Sequence, residues 1–383
     1  MKVYLDNAAT TKIDPRVLTK MKTYYLRRYG NASSIHALGQ ENDLLIKACK
    51  SRIAKIIQCP ADNIVFTASA TEANNFIIKG VMRANQARGK HLIISAIEHP
   101  CVLNSASQLA DEGYQVDYLP VDADGLVKLE VLEKMIKPET VLVSVMTVNN
   151  EIGVIQDIAK ISELVHRRGA YFHTDAVQAV PYLNLNVKAL KIDFMSLSAH
   201  KFYGPIGVGL AVINPEIKIE PLIVGGGQEN GLRAGTYNVP GIVGLTEALV
   251  LSYKERAAYL KRVKTLRDYF WARIKKEIPE VYINGSLQKR TPNNLNVRFR
   301  RIEGEAILMD LSFKGVYVST GSACSAQNLK VSSTLTAIGL DPNDMNSNIR
   351  FSLGHYNTKT EIDYTVKCLK ETVKRLRQFT PII

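Results

Sequence analysis

The sequence of 383 residues has few cysteines, a single tryptophan and no long apolar run. Its five cysteines are an odd number, are widely spaced and form no CxxC pair, which argues against a disulfide framework and against a zinc site. No apolar run reaches a length of about 18 residues, which a membrane-spanning helix needs. Residues 1–6 contain no apolar stretch typical of a signal peptide. The sequence therefore predicts free thiols, no membrane segment, no metal site and a cytoplasmic location.

Length and composition indicate a globular protein with more than one domain. A chain of this length fits a large domain with a smaller companion, and 46% hydrophobic with 22% charged residues is ordinary for soluble proteins. The net charge of +13 favours anionic partners, including RNA. However, the basic residues are spread along helical stretches such as 254–276, and no RNA-binding motif accompanies them. We interpret them as solvated helix faces and expect no direct contact with nucleic acid.

Short apolar runs that end in polar residues alternate with helical patterns through the first two thirds of the chain. Runs of this kind are typical of buried parallel strands, and the alternation predicts an α/β fold with a mainly parallel open sheet and helices on both faces. A charged helical stretch over about 246–276 marks the boundary, and a smaller α+β domain follows. We expect a large domain over 15–255 and a small domain made of 1–14 and 256–383. The strands expected in the large domain are 64–67, 92–95, 141–147, 171–175 and 194–198, with helices over 72–88, 102–112 and 158–168.

A lysine follows one of the predicted strand ends. In an open α/β sheet the ligand lies beyond the carboxyl ends of the strands, so the residues there are the first candidates for chemistry. Lys201 follows the run 194–198 within Ala199-His200-Lys201, and the turn residues 202–207 come next. Taken alone, Lys201 is consistent with a solvated loop residue. A lysine kept neutral by burial is instead a Schiff-base nucleophile.

A carboxylate ends the preceding strand. Asp175 is consistent with a helix N-cap, but beside a Schiff-base lysine it suits a second role. Pyridoxal phosphate (PLP) needs a carboxylate that keeps its pyridine nitrogen protonated, so that the ring withdraws electrons. Gln178, three residues later, is close enough in sequence to reach the ring hydroxyl. The pair Lys201 and Asp175 therefore predicts PLP as the cofactor.

Two further segments suit a phosphate and a planar ring. Ser69-Ala70-Thr71-Glu72 follows the strand 64–67 and opens a helix, where free N–H groups bind anions. The same string is also an ordinary capping motif. His99 precedes Pro100, a residue suited to a helix start, and its imidazole suits stacking on the cofactor and proton transfer.

Together these residues resemble the NifS/IscS-type cysteine desulfurases, in the class V aminotransferase group of fold-type I PLP enzymes. The resemblance runs nearly end to end. It is carried by YLDNAATT at 4–11, ATE at 70–72, EH at 98–99, VNNEIG at 148–153, HTDAVQ at 173–178, SAHK at 198–201, GGGQE at 225–229, RAGT at 233–236, STGSACS at 319–325 and IRFS at 349–352.

The resemblance implies a role for each matching position. Lys201 would be the aldimine lysine, Asp175 the partner of the pyridine nitrogen and Gln178 the contact of the ring oxygen. His99 would stack on the ring and act as acid and base. Asn150 would contact cofactor and substrate, and Arg350 would bind the substrate carboxylate as a fork. The implied phosphate contacts are Ala70, Thr71, Ser198, His200 and, from the second subunit of a homodimer, Thr236.

The resemblance also implies the reaction. L-Cysteine would become L-alanine, and Cys324 would take the sulfur as a persulfide. Cys324 lies among Ser, Thr, Gly and Ala, residues that leave a loop free to carry a thiolate to an acceptor. Cys101 opens an apolar helix, and a cysteine there is expected to be an inert buried thiol. The expected acceptors are an iron–sulfur scaffold or another sulfur-acceptor protein, in cluster assembly and tRNA thiolation.

Other functions stay open at this point. A selenocysteine lyase and another small-substrate class V aminotransferase share the same cofactor chemistry, and Cys324 argues against the aminotransferase. A cofactor-free sulfur carrier and a basic RNA-binding module are alternatives from different classes. Lys201, Asp175 and His99 together argue against both.

Overall fold

The computed structural model describes residues 1–320 and 332–378, so Cys324 lies outside the described residues. Twelve strands and ten helices are named within these ranges. The strands are β1 Val3–Tyr4, β2 Ile64–Thr67, β3 His91–Ser95, β4 Gln115–Leu119, β5 Thr140–Ser144, β6 Tyr171–Asp175, β7 Phe194–Ser198, β8 Gly209–Ile213, β9 Val281–Ile283, β10 Asn294–Phe299, β11 Val316–Tyr317 and β12 Asn348–Ser352. The helices are α1 Pro15–Leu26, α2 Ala37–Ile57, α3 Ala70–Ala84, α4 Pro100–Asp111, α5 Leu129–Met135, α6 Ile158–Arg167, α7 Val239–Glu277, α8 Gly304–Phe313, α9 Ser333–Ala337 and α10 Lys359–Arg377.

The central sheet has seven strands in the order β2-β8-β7-β6-β5-β3-β4. Strand β8 is antiparallel to both of its neighbours, and the pairs from β7 to β4 are parallel. Strand β2 therefore runs in the same direction as β3, β6 and β7. The carboxyl ends of these four strands share one edge of the sheet, as the α/β prediction requires.

A second group of strands combines the C-terminal part of the chain with the N-terminal strand β1. Strands β12, β10 and β9 form an antiparallel sheet, and β1 pairs in parallel with β11. Their apolar side chains and those of α10 form a hydrophobic core separate from the clusters around the large sheet. The N-terminal strand β1 contributes Val3 to this second core. The domain limits at residues 14 and 255 stay a prediction.

Helix α7 contributes to both cores. Its first turns, including Leu245 and Leu249, pack into the large-sheet core, whereas Tyr259, Val263 and Phe270 pack into the second core. The sequence prediction that this helix begins near 246 was wrong. Its charged pattern starts there, but the helix begins seven residues earlier, where the Asn238 side chain accepts a hydrogen bond from the Gly241 N–H.

Other element boundaries differ modestly from the prediction. The helix expected over 72–88 ends at Ala84, and the strand expected over 141–147 ends at Ser144. Residues 145–147 continue the apolar run beyond β5, and the N–H groups of Val145 and Thr147 still donate to the carbonyl groups of His173 and Asp175 in β6. Strands 64–67, 171–175 and 194–198 have the predicted limits. None of the helices in the described part of the chain combines the length and apolar character that crossing a bilayer requires.

Candidate active site

The predicted lysine lies at the shared edge of the sheet. A single turn of 3-10 helix, Ala199–Lys201, follows β7 and presents the side chain. The Lys201 Nζ donates to the carbonyl oxygens of Ala8 and Ala9, at 2.7 and 2.6 Å. The Gln178 Nε2 also donates to the Ala8 oxygen, at 2.8 Å. The N-terminal segment therefore crosses the sheet edge and orients both side chains.

Asp175 ends β6 and is 5% exposed. Its Oδ1 accepts from the backbone N–H of Val177 at 2.9 Å, and its Oδ2 accepts from the Asn74 Nδ2 at 2.7 Å. No helix begins at Asp175, so the N-cap alternative does not apply. Two donors fix this buried carboxylate, which suits a partner for a protonated ring nitrogen.

His99 is the N-cap of α4, as its position before Pro100 predicts. Its Nδ1 accepts from the Cys101 backbone N–H at 3.2 Å and lies 3.0 Å from the Cys101 Sγ. Burial lowers the pKa of His99, the nearby charge of Asp175 raises it and that of Lys201 lowers it. Asn74 donates to both Asp175 and the Cys101 Sγ beside His99, and Lys201 follows β7, the neighbour of the strand that Asp175 ends, so the three residues lie in one region.

The predicted phosphate contacts also converge. The Ser69 Oγ accepts from the Glu72 N–H at 3.2 Å and caps α3, whose first N–H groups, including those of Ala70 and Thr71, have no acceptor within the helix. A Cβ on Gly209 would lie 3.0 Å from the Ala70 nitrogen, so glycine lets β8 approach this helix start. Gly209 pairs with Ser198 at the end of β7.

His200 lies in the same region, between Ser198 and Lys201. Its Nδ1 is 3.1 Å from the Thr10 Oγ1, and its backbone oxygen accepts from the Thr11 Oγ1 at 2.8 Å. Burial, with a smaller effect of the Lys201 charge, lowers the pKa of His200 to about 4. His200 is therefore neutral at physiological pH and acts as a hydrogen-bonding group.

The predicted substrate contacts come from two distant parts of the chain. The Arg350 side chain is 3% exposed, and its Nη2 lies 2.7 Å from the Asp6 Oδ1. Its Nη1 donates to the backbone oxygen of Asn150 at 3.1 Å. Arg350 and Asn150 are therefore in contact, and Asp6 aligns the guanidinium.

Two predicted residues are not brought into this cluster by the described contacts. Thr236 is exposed in the loop before α7, beside Gly235, whose N–H donates to the Gln228 Oε1 at 3.0 Å. Cys324 lies outside the described residues. The neighbouring segments are described: Ser319 pairs with the Arg350 backbone, and the Ser332 Oγ donates to the Glu151 Oε2 at 2.6 Å.

Sequence reasoning gave no role to several residues of the site. Asp6, Ala8 and Ala9 lie in the 4–11 motif, so that motif was a usable signal. Asn74 has no comparable signal: it is one of two adjacent asparagines in α3, and only its contact with Asp175 distinguishes it.

The family model for the class V aminotransferases matches residues 3–365 of the chain. The chain belongs to the class V aminotransferase family. A relative named cysteine desulfurase IscS, from Dictyoglomus turgidum, is 45% identical over 379 residues, which are 99% of this chain and 96% of the relative. A solved structure named NifS-like protein has a TM-score of 0.93 and 39% identity, and the match covers 98% of this chain and 100% of that one. A structure titled SspA in complex with cysteine has a TM-score of 0.83 and 34% identity, over 93% of this chain and 100% of that one.

These similarities confirm the predicted fold-type I class and the resemblance to NifS/IscS-type enzymes. Class V aminotransferases are PLP enzymes, so the predicted cofactor is also confirmed. The residues present fit that group. The start of α3 suits its phosphate, the buried Asp175 carboxylate suits its ring nitrogen, and the Lys201 amine suits its carbonyl carbon.

Proposed function

We propose that this class V aminotransferase family member is a cysteine desulfurase that converts L-cysteine to L-alanine and transfers the sulfur to Cys324. The observation that carries the proposal is the clustering of Lys201, Asp175 and His99 at one sheet edge. Relatives with the name cysteine desulfurase at 42–45% identity over nearly the whole chain support it.

When bound, PLP supplies an electron sink for negative charge at the substrate Cα. We assign its ring nitrogen to Asp175, its ring oxygen to Gln178, and the covalent link to the Lys201 Nζ. Its phosphate contacts are assigned to Ala70, Thr71, Ser198, His200 and Thr236.

Proton transfer is assigned to Lys201 and His99. The His99 Nδ1 is directed at Cys101, so the Nε2 is the ring atom that we assign to the substrate side. Burial lowers the pKa of His99, which keeps the imidazole neutral near pH 7. A neutral, positioned imidazole exchanges protons efficiently with a reacting group.

Arg350 and Asn150 are assigned to the substrate. The guanidinium of Arg350 suits a substrate carboxylate as a bidentate donor, and Asp6 aligns it from one side. Asn150 lies in the turn that Asn149 stabilises by accepting from the N–H groups of Glu151 and Ile152, both at 2.9 Å. This turn holds the substrate contacts against the sheet edge.

The proposed sulfur transfer consumes one substrate thiol and one enzyme thiol, and its atoms and electrons balance without a further reactant. L-Cysteine and the Cys324 thiol become L-alanine and a persulfide. The Cys324 thiolate attacks the substrate sulfur, the carbon–sulfur bond breaks as the sulfur–sulfur bond forms, and a proton is added at the former Cβ. The described segments beside Cys324 support this role, because Ser319 pairs with Arg350 and Ser332 contacts Glu151, next to Asn150.

We further propose a homodimer with shared sites. Large hydrophobic side chains are exposed on segment 25–44, and exposed apolar groups of this size mark interaction surfaces. Thr236 is exposed on its own subunit, which suits a contact in the site of the partner subunit. The exposed residues are Tyr25 at 59%, Leu26 at 75%, Tyr29 at 70%, Ile35 at 91% and Leu44 at 66%.

The sulfur acceptor is proposed to be an iron–sulfur scaffold or another acceptor protein, with cluster assembly and tRNA thiolation as the processes supplied. The cytoplasmic location stays a prediction.

The test is an assay of purified protein with L-cysteine that measures alanine and protein persulfide together. We expect equal amounts of both in a single turnover without reductant, and none from Lys201→Ala. Turnover of selenocysteine without turnover of cysteine would favour a selenocysteine lyase. Transfer of the amino group to a 2-oxo acid would favour an aminotransferase.

A further inference from the structure

A buried network of hydrogen bonds joins Asp175, which we assign to the cofactor ring nitrogen, to His99, which we assign to proton transfer. The Asn74 Nδ2 donates to the Asp175 Oδ2 at 2.7 Å and to the Cys101 Sγ at 3.2 Å. The Cys101 Sγ lies 3.0 Å from the His99 Nδ1. Asn74 is 0% exposed and Cys101 is 9% exposed, so water does not replace these contacts. This hydrogen-bond network connects α3, α4 and the end of β6.

The chemistry of the donor and acceptor groups determines the direction of each hydrogen bond in this network. A carboxylate oxygen only accepts, so the Asn74 amide must present its NH₂ group, which has one proton for Asp175 and one for Cys101. The Sγ accepts from Asn74 and has one proton to donate. The His99 Nδ1 already accepts from the Cys101 backbone N–H, so it is the acceptor for that proton.

This direction determines the tautomer of His99. With two donors directed at Nδ1, the neutral ring carries its proton on Nε2. Burial raises the pKa of the Cys101 thiol to about 12, so the thiol stays protonated and keeps its donor. The Nε2 is therefore the nitrogen from which a proton is exchanged with the substrate.

We infer that Asn74 and Cys101 are positioning residues for this reaction: Asn74 orients Asp175 toward the ring nitrogen, and Cys101, oriented by Asn74, fixes the tautomer of His99. The inference rests on the proposed function, because it assumes that Asp175 and His99 face the cofactor. It gives Cys101 a role as a hydrogen-bond donor and excludes it as the sulfur acceptor.

The first test replaces the Cys101 thiol and measures which nitrogen of the His99 ring is protonated. In cofactor-free protein with labelled histidine, long-range proton–nitrogen NMR spectra distinguish a protonated from an unprotonated Nδ1, and His99→Gln assigns the signal. We expect an unprotonated Nδ1 in the wild type and in Cys101→Ser, whose hydroxyl still donates. Cys101→Val removes the side-chain donor at similar volume, and we expect a mixture of tautomers. Unchanged spectra in Cys101→Val would overturn the role of Cys101.

The activity of the same two variants provides the second reading. We expect Cys101→Ser to keep a kcat within about threefold of the wild type, and Cys101→Val to lose about 10-fold or more in kcat with a smaller change in KM. A nucleophilic Cys101 would instead give two equally inactive variants, which would contradict the inference.

The third test concerns Asn74 and uses cofactor affinity. Asn74→Leu leaves the Asp175 Oδ2 without its side-chain donor, and loss of a hydrogen bond to a charged group is expected to weaken PLP binding by about 10- to 100-fold. Asn75→Leu is the matched control, because Asn75 is the next residue of α3 and its Nδ2 donates to the Thr71 backbone at an exposed position. Affinity is measured by titrating PLP into cofactor-free protein and following the change in PLP absorbance on binding.

The outcomes separate this inference from the proposed function. If Asn74→Leu binds PLP as tightly as Asn75→Leu, with both variants folded by circular dichroism, the role of Asn74 is wrong. If Asn74→Leu does not fold, Asn74→Asp is used in its place, and unchanged affinity there would count equally against the role. Neither the NMR spectra nor the titration requires desulfurase activity, so both tests stay valid even if L-cysteine is not the substrate.

Discussion

Asp6 and Arg350 form a partly buried ion pair across 344 positions of the chain, with the Oδ1 and Nη2 atoms 2.7 Å apart. Asp6 follows β1, and Arg350 lies in β12. The ion pair orients the Arg350 guanidinium, whose Nη1 donates to the Asn150 backbone oxygen. It therefore connects the N-terminal segment that orients Lys201 to the residue assigned to the substrate carboxylate.

Asp6→Asn tests this alignment. The amide keeps an acceptor near Arg350 but removes the charge, so we expect the KM for L-cysteine to rise about 10-fold, with a smaller change in kcat. PLP affinity should stay the same. Glu112→Gln is the control, because its exposed pair with Arg83 contributes little. An unchanged KM in Asp6→Asn would contradict the role of the pair.

Lys201 is expected to hold the cofactor covalently. Borohydride treatment of the loaded wild-type protein should attach PLP to the peptide that contains Lys201, because a primary amine at this strand end can form a reducible link beside Asp175. Lys201→Ala should lose the label, while Lys188→Ala, at an exposed position, should keep it. Mass spectrometry of the labelled peptide is the measurement. A label on another lysine would refute the assignment.

Thr236 is expected to act in the site of the partner subunit. Thr236→Ala should weaken PLP retention without unfolding the chain. When Thr236→Ala subunits are mixed with Lys201→Ala subunits, both defects fall in one site of the heterodimer, and the other site is intact. We therefore expect partial recovery of activity. Confirmed heterodimers without recovery would show that Thr236 does not act across the interface.

Cys324 is the proposed sulfur acceptor, and Cys101 is the cysteine against which this assignment is tested. Cys324→Ser should bind PLP and L-cysteine but produce almost no alanine, because the substrate sulfur then has no thiol to attack it. Cys101→Ser should stay active, since burial raises the pKa of the Cys101 thiol to about 12 and leaves it a poor nucleophile. Alanine release is measured by chromatography. Near-normal alanine release from Cys324→Ser, together with loss in Cys101→Ser, would reverse the assignment.

Glu98 should make stability depend on pH. Burial raises its pKa to about 8, although the Ser95 hydroxyl and the Met146 N–H both donate to its Oε1 at 2.6 Å. In the folded state Glu98 keeps its proton up to this pKa, whereas in the unfolded state it releases the proton at about pH 4.3. The free energy of unfolding should therefore fall as pH rises from about 5 to about 8, by up to about 1.4 kcal/mol per pH unit from this group.

Glu98→Gln provides the check. The amide keeps an acceptor oxygen but cannot ionise, so the variant should gain stability relative to the wild type as pH rises through this interval. Urea unfolding at several pH values measures the difference. Glu163→Gln, an exposed residue of α6, should follow the wild type at every pH. The prediction fails if Glu98→Gln and the wild type show parallel pH profiles.

Local sequence determined the strands of the large sheet and the residues at their ends. Asp175 and Lys201 could be predicted because buried parallel strands appear as short apolar runs, and their carboxyl ends meet at one edge. The helix starts at Ser69 and His99 could be predicted for a similar reason, because capping depends on residues that are a few positions apart. The start of α7 was misplaced, because its first turns are apolar like the sheet core into which they pack.

Only the tertiary structure decided which distant residues complete the site. The Ala8 and Ala9 carbonyl groups reach Lys201 from more than 190 positions away, and Asn74 reaches Asp175 across 101 positions. No local periodicity records such contacts, because they depend on how helices and the N-terminal segment pack on the sheet. The sequence alone thus determined the type of chemistry at the sheet edge, whereas packing determined the hydrogen bonds that orient it.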